Sequence, residues 1–131
     1  MSAVLVGYVP SAEGRAALQT GIAEARLRGL RLVVANTSRG DALVDQRFVQ
    51  GVGAEDLLGE LAALDIPAEL RQVTNGQDVA DALDDIAAEV DAVLVVIGLR
   101  HRSPVGKLIL GSAASRILLT VKQPVLTVKA P

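Results

Sequence analysis

Cysteine is absent from this chain. That excludes disulfides, thiolate metal sites and a thiol nucleophile, and it fits a reducing cytoplasm. Aromatic residues are nearly absent: Tyr8 and Phe48 stand alone, with no tryptophan. So few rings cannot build the stacking platforms that hold single-stranded nucleic acid. No apolar run approaches the roughly 18 residues needed to cross a bilayer, so no membrane partner is expected. Neither charge dominates, because the net charge is −2, and no global field favours a nucleic acid. Met1-Ser2-Ala3 leads straight into apolar sequence, with no basic leader or signal-peptide core, so a cytoplasmic location is expected. Zinc, dinucleotide and Walker motifs are missing. Asp41, Asp45, Glu55 and Asp56 lack the spacing of a calcium loop. Asp78, Asp81, Asp84 and Asp85 read as helix-dipole and solvation residues. No metal site is expected.

What is present is half apolar by composition, in 131 residues. This length predicts a single domain over 1–131 with a real core. Val4-Leu5-Val6 reads as a buried strand. Ser11 caps a helix running to about Arg28, with Leu18, Ile22 and Ala25 on one face and Gly29 as a stop. Leu32 to Ala35 is a second strand. Asn36 to Gly53 is a long connection, with Val44, Phe48 and Val49 tucked onto the domain. A helix over about 54–64 carries Leu57, Leu58, Leu61 and Leu64 at helical spacing. Pro67 ends that unit, and 68–73 is a third strand. Asn75-Gly76 turns into a helix with Val79, Leu83 and Ile86 on one face. A fourth strand covers 92–97, a fourth helix about 106–120 and a fifth strand 124–128. Strands alternating with helices predict crossover connections and a doubly wound parallel α/β sheet covered on both faces. The unbroken Val-Leu-Val-Val-Ile of the fourth strand agrees with burial on both sides.

The stretch richest in chemistry is Gly98-Leu99-Arg100-His101-Arg102-Ser103-Pro104-Val105-Gly106-Lys107-Leu108-Ile109-Leu110-Gly111-Ser112. A glycine, a short basic loop and a Gly-Ser pair between a strand and a helix can form a phosphate cradle. Backbone N–H groups converge there, and the helix N-terminus adds positive potential. Arg100, Arg102 and Lys107 add three positive charges. Ser103-Pro104 stiffens the loop.

This spacing resembles the nucleotide-binding branch of the universal stress proteins. In that pattern a glycine, two residues, a second glycine and nine residues precede Gly-Ser or Gly-Thr. Gly98 matches the first glycine, and Gly111-Ser112 closes the pattern. His101 stands where the middle glycine belongs. The ending Pro124-Val125-Leu126-Thr127-Val128 is similar to the family too, and the order of elements agrees from Val4 to Val128. The resemblance implies a five-stranded sheet of order 3-2-1-4-5, of the adenine nucleotide alpha hydrolase-like kind. The chain direction then reverses between the first and fourth strands, and open α/β sheets bind ligands beyond the strand ends at such a switch point.

The resemblance also implies the ligand and its residues. ATP, or AMP or ADP, would sit against Gly7, Tyr8 and Val9 after the first strand, and Asn36 after the second. Ile97, Gly98, Arg100, His101 and Arg102 would approach from the fourth strand, and Gly111, Ser112 and Ala113 from the last helix. Mg²⁺ would enter only through the nucleotide phosphates. The plain reading of Gly98 is a strand-to-loop turn needing no ligand. That of Tyr8 is a core or rim tyrosine, and that of Asn36 a strand-ending turn. His101 has two readings: an imidazole facing phosphates, or a solvent-facing residue in a site that has lost its nucleotide. Val9 replaces an aspartate that nucleotide-binding members usually carry, which removes a hydrogen bond to base or sugar. No serine or carboxylate partners His101 by any recognisable motif, so no catalytic residue is expected and ATP hydrolysis would be slow and incidental. The family pairs its last strand across a twofold axis, so a homodimer through Val125–Val128 is expected. The expected role is a nucleotide-binding homodimer in stress response or signalling. The alternative is a dimeric interaction protein of the same family that binds no nucleotide.

Overall fold

The computed structural model describes residues 2–37, 52–73, 78–99 and 111–130. The elements run β1 (Ala3–Gly7), α1 (Ala12–Arg28), β2 (Arg31–Thr37), α2 (Val52–Ala62), β3 (Ala68–Val73), α3 (Val79–Glu89), β4 (Ala92–Leu99), α4 (Ser112–Thr120) and β5 (Val125–Lys129). The strands form one parallel sheet of order β3-β2-β1-β4-β5. The chain walks outward from β1 to β3, then returns to β4 on the far side of β1. Crossovers of one hand therefore leave α1 and α2 on one face of the sheet and α3 and α4 on the other.

Two apolar clusters mark these faces. Leu5, Val33, Val95 and Ile97 pack with Leu83 and Ile86 of α3 and Ile117 of α4. Val4, Val6, Val34 and Val96 pack with Leu18 of α1 and Leu57 and Leu61 of α2. Alternate residues of one strand serve opposite faces, so the central strands are apolar throughout. Helix α1 comes close to the sheet because Gly21 lacks a side chain: a Cβ there would collide with Cγ2 of Val6.

The helix boundaries follow local chemistry. Ser11 caps α1, its Oγ accepting from the Gly14 amide at 3.1 Å. Gly29 ends α1 in the left-handed region at φ 68, where only glycine is unstrained. Asp78 caps α3 through the Ala80 amide at 3.0 Å. Helix α4 starts at Ser112, because Gly111 is extended at φ −66 and ψ 163; residues 106–110, where the sequence suggests that this helix begins, lie outside the described residues. The connection holding Val44, Phe48 and Val49, and the Asn75-Gly76 turn, lie outside the described residues.

The two sheet edges differ. On the β3 side, Arg31 pairs with Glu69 at 2.8 Å, and Arg71 pairs with Glu69 at 3.2 Å and Glu89 at 2.7 Å. Charges of this kind discourage further strand addition. The β5 edge carries Val125, Leu126, Thr127 and Val128, all half-buried, before Lys129. Elsewhere Arg26 pairs with Asp65 at 2.7 Å and holds its carboxyl below the ordinary value by hydrogen bonding. That contribution is present above the unfolded carboxyl pKa and is lost as pH falls, and its exposure keeps it small.

Candidate functional site

The carboxyl ends of β1 and β4 meet at the point where the strand order reverses. Gly7 lies in register with Ala35 of β2 on one side and Ile97 of β4 on the other. The pairing continues one residue further, where the Tyr8 amide donates to the Ala35 carbonyl at 2.8 Å. A tight turn follows: the Ser11 amide donates to the Val9 carbonyl at 2.8 Å, and α1 begins. The first turn of α1 is wedged between this turn and β4. A Cβ on Gly14 would overlap the Val9 carbonyl oxygen, and a Cβ on Gly98 would overlap the Glu13 carbonyl oxygen.

This explains Gly98 differently from the sequence reading. The residue lies inside β4, in register with Val128 of β5, rather than in a loop after the strand. Its φ is not positive. What requires glycine there is the backbone of α1 passing over it.

The predicted residues divide between the two faces of the sheet. Gly7 and Ile97 face the α3 and α4 side: a Cβ on Gly7 would lie 3.2 Å from both Cγ2 of Ile97 and Cδ1 of Leu83. Tyr8 is buried in the α1 and α2 cluster. Asn36, the next residue along the β2 ladder from Ala35, is fully buried within β2 rather than in a turn. It is the buried polar residue among the described ones. Val9 is half-buried.

Helix α4 brings its N-terminus to the same end of the sheet. Gly111 is exposed, and a Cβ there meets nothing within 4 Å. Among the described residues no side chain caps α4, and its first turn has no acidic residue. The amides of Ser112, Ala113 and Ala114 precede the first intrahelical bond, which the Ser115 amide makes to the Gly111 carbonyl at 3.0 Å. By contrast, α1 and α3 begin with side-chain caps and acidic first turns. Ser112 is exposed and Ala113 half-buried. Among the described residues nothing pairs these donors or fills the space beside Gly111, and the helix dipole adds positive potential, properties that favour an anion. Arg100, His101, Arg102 and Lys107 lie outside the described residues. Among the described residues no three side chains are grouped to hold a metal ion, and no helix is long and apolar enough to cross a membrane.

A family model, that of the universal stress protein family, matches residues 1–129. The chain belongs to the universal stress protein family. A relative in the family from Mycolicibacterium smegmatis, described as a universal stress protein, is 45% identical over 126 residues, covering 96% of each chain. A universal stress protein structure from Archaeoglobus fulgidus is 29% identical, covers 97% of both chains and superposes with a TM-score of 0.74. A second structure from that organism, in complex with dAMP, is 25% identical with a TM-score of 0.67, covering 97% of this chain and 96% of that one. The family's sheet order and the helices on both faces agree with the architecture described above.

Sequence reasoning missed the parts played by Glu13 and Gly14. Glycine at position 14, three residues after the cap, is visible in the sequence. Its partner, the Val9 carbonyl, is a backbone group and leaves no trace in side-chain patterns.

Proposed function

We propose that this protein binds an adenine nucleotide at the carboxyl ends of β1 and β4, with its phosphates on the α4 N-terminus. The observation that carries this reading is the opening of α4 itself: among the described residues, a first turn without a side-chain cap behind a glycine whose added Cβ would meet nothing within 4 Å. The bound dAMP of the Archaeoglobus fulgidus relative supports the same ligand class. In this reading Gly111, Ser112 and Ala113 donate to phosphate, while Gly7, Tyr8, Val9, Asn36, Ile97 and Gly98 shape the base and ribose side. Arg100, His101 and Arg102 add positive charge, and Mg²⁺ comes with the phosphates. ATP, ADP and AMP are all candidates. The protein acts as a cytoplasmic homodimer in stress response or signalling. Its apolar edge strand Val125–Val128 supports pairing with a second copy across a twofold axis, which hides that edge in an isologous interface.

One observation favours a second reading. Val9 puts an apolar side chain where nucleotide-binding members usually hold a carboxylate, and its carbonyl is already engaged by Ser11. A dimeric interaction protein without nucleotide would have this character.

Titration calorimetry with ATP, ADP, AMP and dAMP, with Mg²⁺ present, separates the two. Binding in the micromolar-to-millimolar range is expected. Ser112→Ala removes one donor and weakens it by about 0.5–1.5 kcal/mol, and Gly111→Val blocks it while leaving the fold intact. Saturating nucleotide with neither heat nor a thermal shift would select the interaction protein instead. Light scattering is expected to give twice the chain mass, shifting toward monomer in Leu126→Lys.

A further inference from the structure

Helix α2 is thinly anchored. It has the same length as α3, 11 residues. Helix α3 buries Ala80, Ala82, Leu83, Ile86 and Ala87. From Glu55 to Ala62, α2 buries Leu57 and Leu61 and exposes the rest. Gly59 weakens the helix further. It is exposed in the helix interior, and its φ is not positive. Among the described residues a Cβ there meets nothing within 4 Å. The glycines of α1 differ, since the Val9 carbonyl and Val6 leave no room at Gly14 and Gly21. Glycine inside a helix lowers helix formation about 4- to 5-fold against alanine. No close approach among the described residues requires it at Gly59.

A charge pair ties this helix to the candidate site. Arg15 donates to both carboxylate oxygens of Glu60, at 2.7 and 3.0 Å. The two side chains are 43% and 49% exposed, so the pair is weak and screened by salt. Its place matters more than its strength. Arg15 belongs to the first turn of α1, where its amide donates to the Ser11 carbonyl at 2.9 Å. The Ser11 amide in turn donates to the Val9 carbonyl and closes the turn that ends β1. A second exposed pair, Arg26 with Asp65 at 2.7 Å, holds the chain just beyond α2. The last turn of α2 and its exit are thus clamped by exposed charges over a small apolar contact.

We propose that α2 opens as a unit of its own, and that filling the site between β1 and β4 holds it closed. The second part rests on the nucleotide reading above. A segment with few buried side chains opens at a lower free energy than the fold around it. A ligand against Tyr8 and Val9 fixes the turn from Val9 to Ser11, and with it the guanidinium that faces Glu60. The closed arrangement then binds the ligand better than the open one, and the ligand shifts the balance toward it. Occupancy of the site is read out on a surface helix, whose opening uncovers Leu57 and Leu61.

Amide hydrogen exchange of the full chain tests this, in the free protein and with AMP at a concentration that calorimetry shows to be saturating. The α2 amides are expected to exchange at least about 10-fold faster than the central amides of α1 and α3. Gly59→Ala slows α2 exchange about 4- to 5-fold and leaves α1 and α3 unchanged. Glu60→Gln, which keeps helix propensity, speeds it about 3-fold, and high salt does the same to the wild type but not to this variant. Lys122→Gln, which loses an exposed pair with Asp84, is the control and leaves α2 unchanged. AMP slows α2 exchange in the wild type and by less in Glu60→Gln. Exchange of α2 at the rate of α1 and α3, or an equal response of all three helices to Gly59→Ala, overturns the separate opening. Bound AMP that leaves α2 exchange unchanged overturns the link to the site. Failure of the wild type to bind AMP overturns the nucleotide reading and that link with it, while exchange of the free protein still decides whether α2 opens alone.

Discussion

Gly98→Ala is expected to destabilise the protein by about 1–3 kcal/mol in urea denaturation, the range for forcing an extra group into a packed site. The new methyl would overlap the Glu13 carbonyl oxygen. That oxygen belongs to the first turn of α1, which Ser11 holds through the Gly14 amide. The Val9 carbonyl closes the other side, leaving no room for a Cβ on Gly14. The helix cannot yield by a side-chain rotation, so either its first turn or the end of β4 must shift. Gly111→Ala is the natural comparison. Its methyl meets nothing within 4 Å, and the expected cost is below about 1 kcal/mol, from the poorer cap alone. Equal costs at the two positions would show that α1 does not bear on β4 as described. The comparison also separates the two motif glycines physically: one serves packing, and the other leaves open surface before a helix.

Leu83→Ala carries the larger effect, about 2–5 kcal/mol by chemical denaturation, as for other fully buried leucines. Leu83 is 1% exposed and lies in the cluster between α3 and the central strands. Its Cδ1 also approaches Gly7, the last residue of β1. This contact gives the substitution a second signature. Gly7→Ala by itself requires both Leu83 and Ile97 to give way by a few tenths of an ångström, since each lies 3.2 Å from the added carbon. With Leu83 already shortened, one of those neighbours is gone. The double variant should therefore lose less than the sum of the singles, with a coupling of about 0.5–3 kcal/mol. Strict additivity would argue against this contact beneath the switch point.

The amino-acid sequence by itself determined the elements and the family. The unbroken apolar run of β4, the leucine spacing of α2 and the Ser11 cap are local patterns, and each is set by residues near one another in the chain. The spacing from Gly98 to Gly111-Ser112 carried the family in the same way. Other features depend on contacts between distant segments, and these only the tertiary structure decided. Gly98 looked like a turn glycine because its actual neighbour, the Glu13 carbonyl, is a backbone group 85 positions earlier in the numbering. Asn36 looked like a strand end because asparagine favours turns, yet β2 continues through it beside β3 as far as Thr37. Ladder pairing with β3 outweighed that local preference. Helix α4 begins at Ser112 because Gly111 is extended, although the apolar residues before it fit a helical pattern equally well.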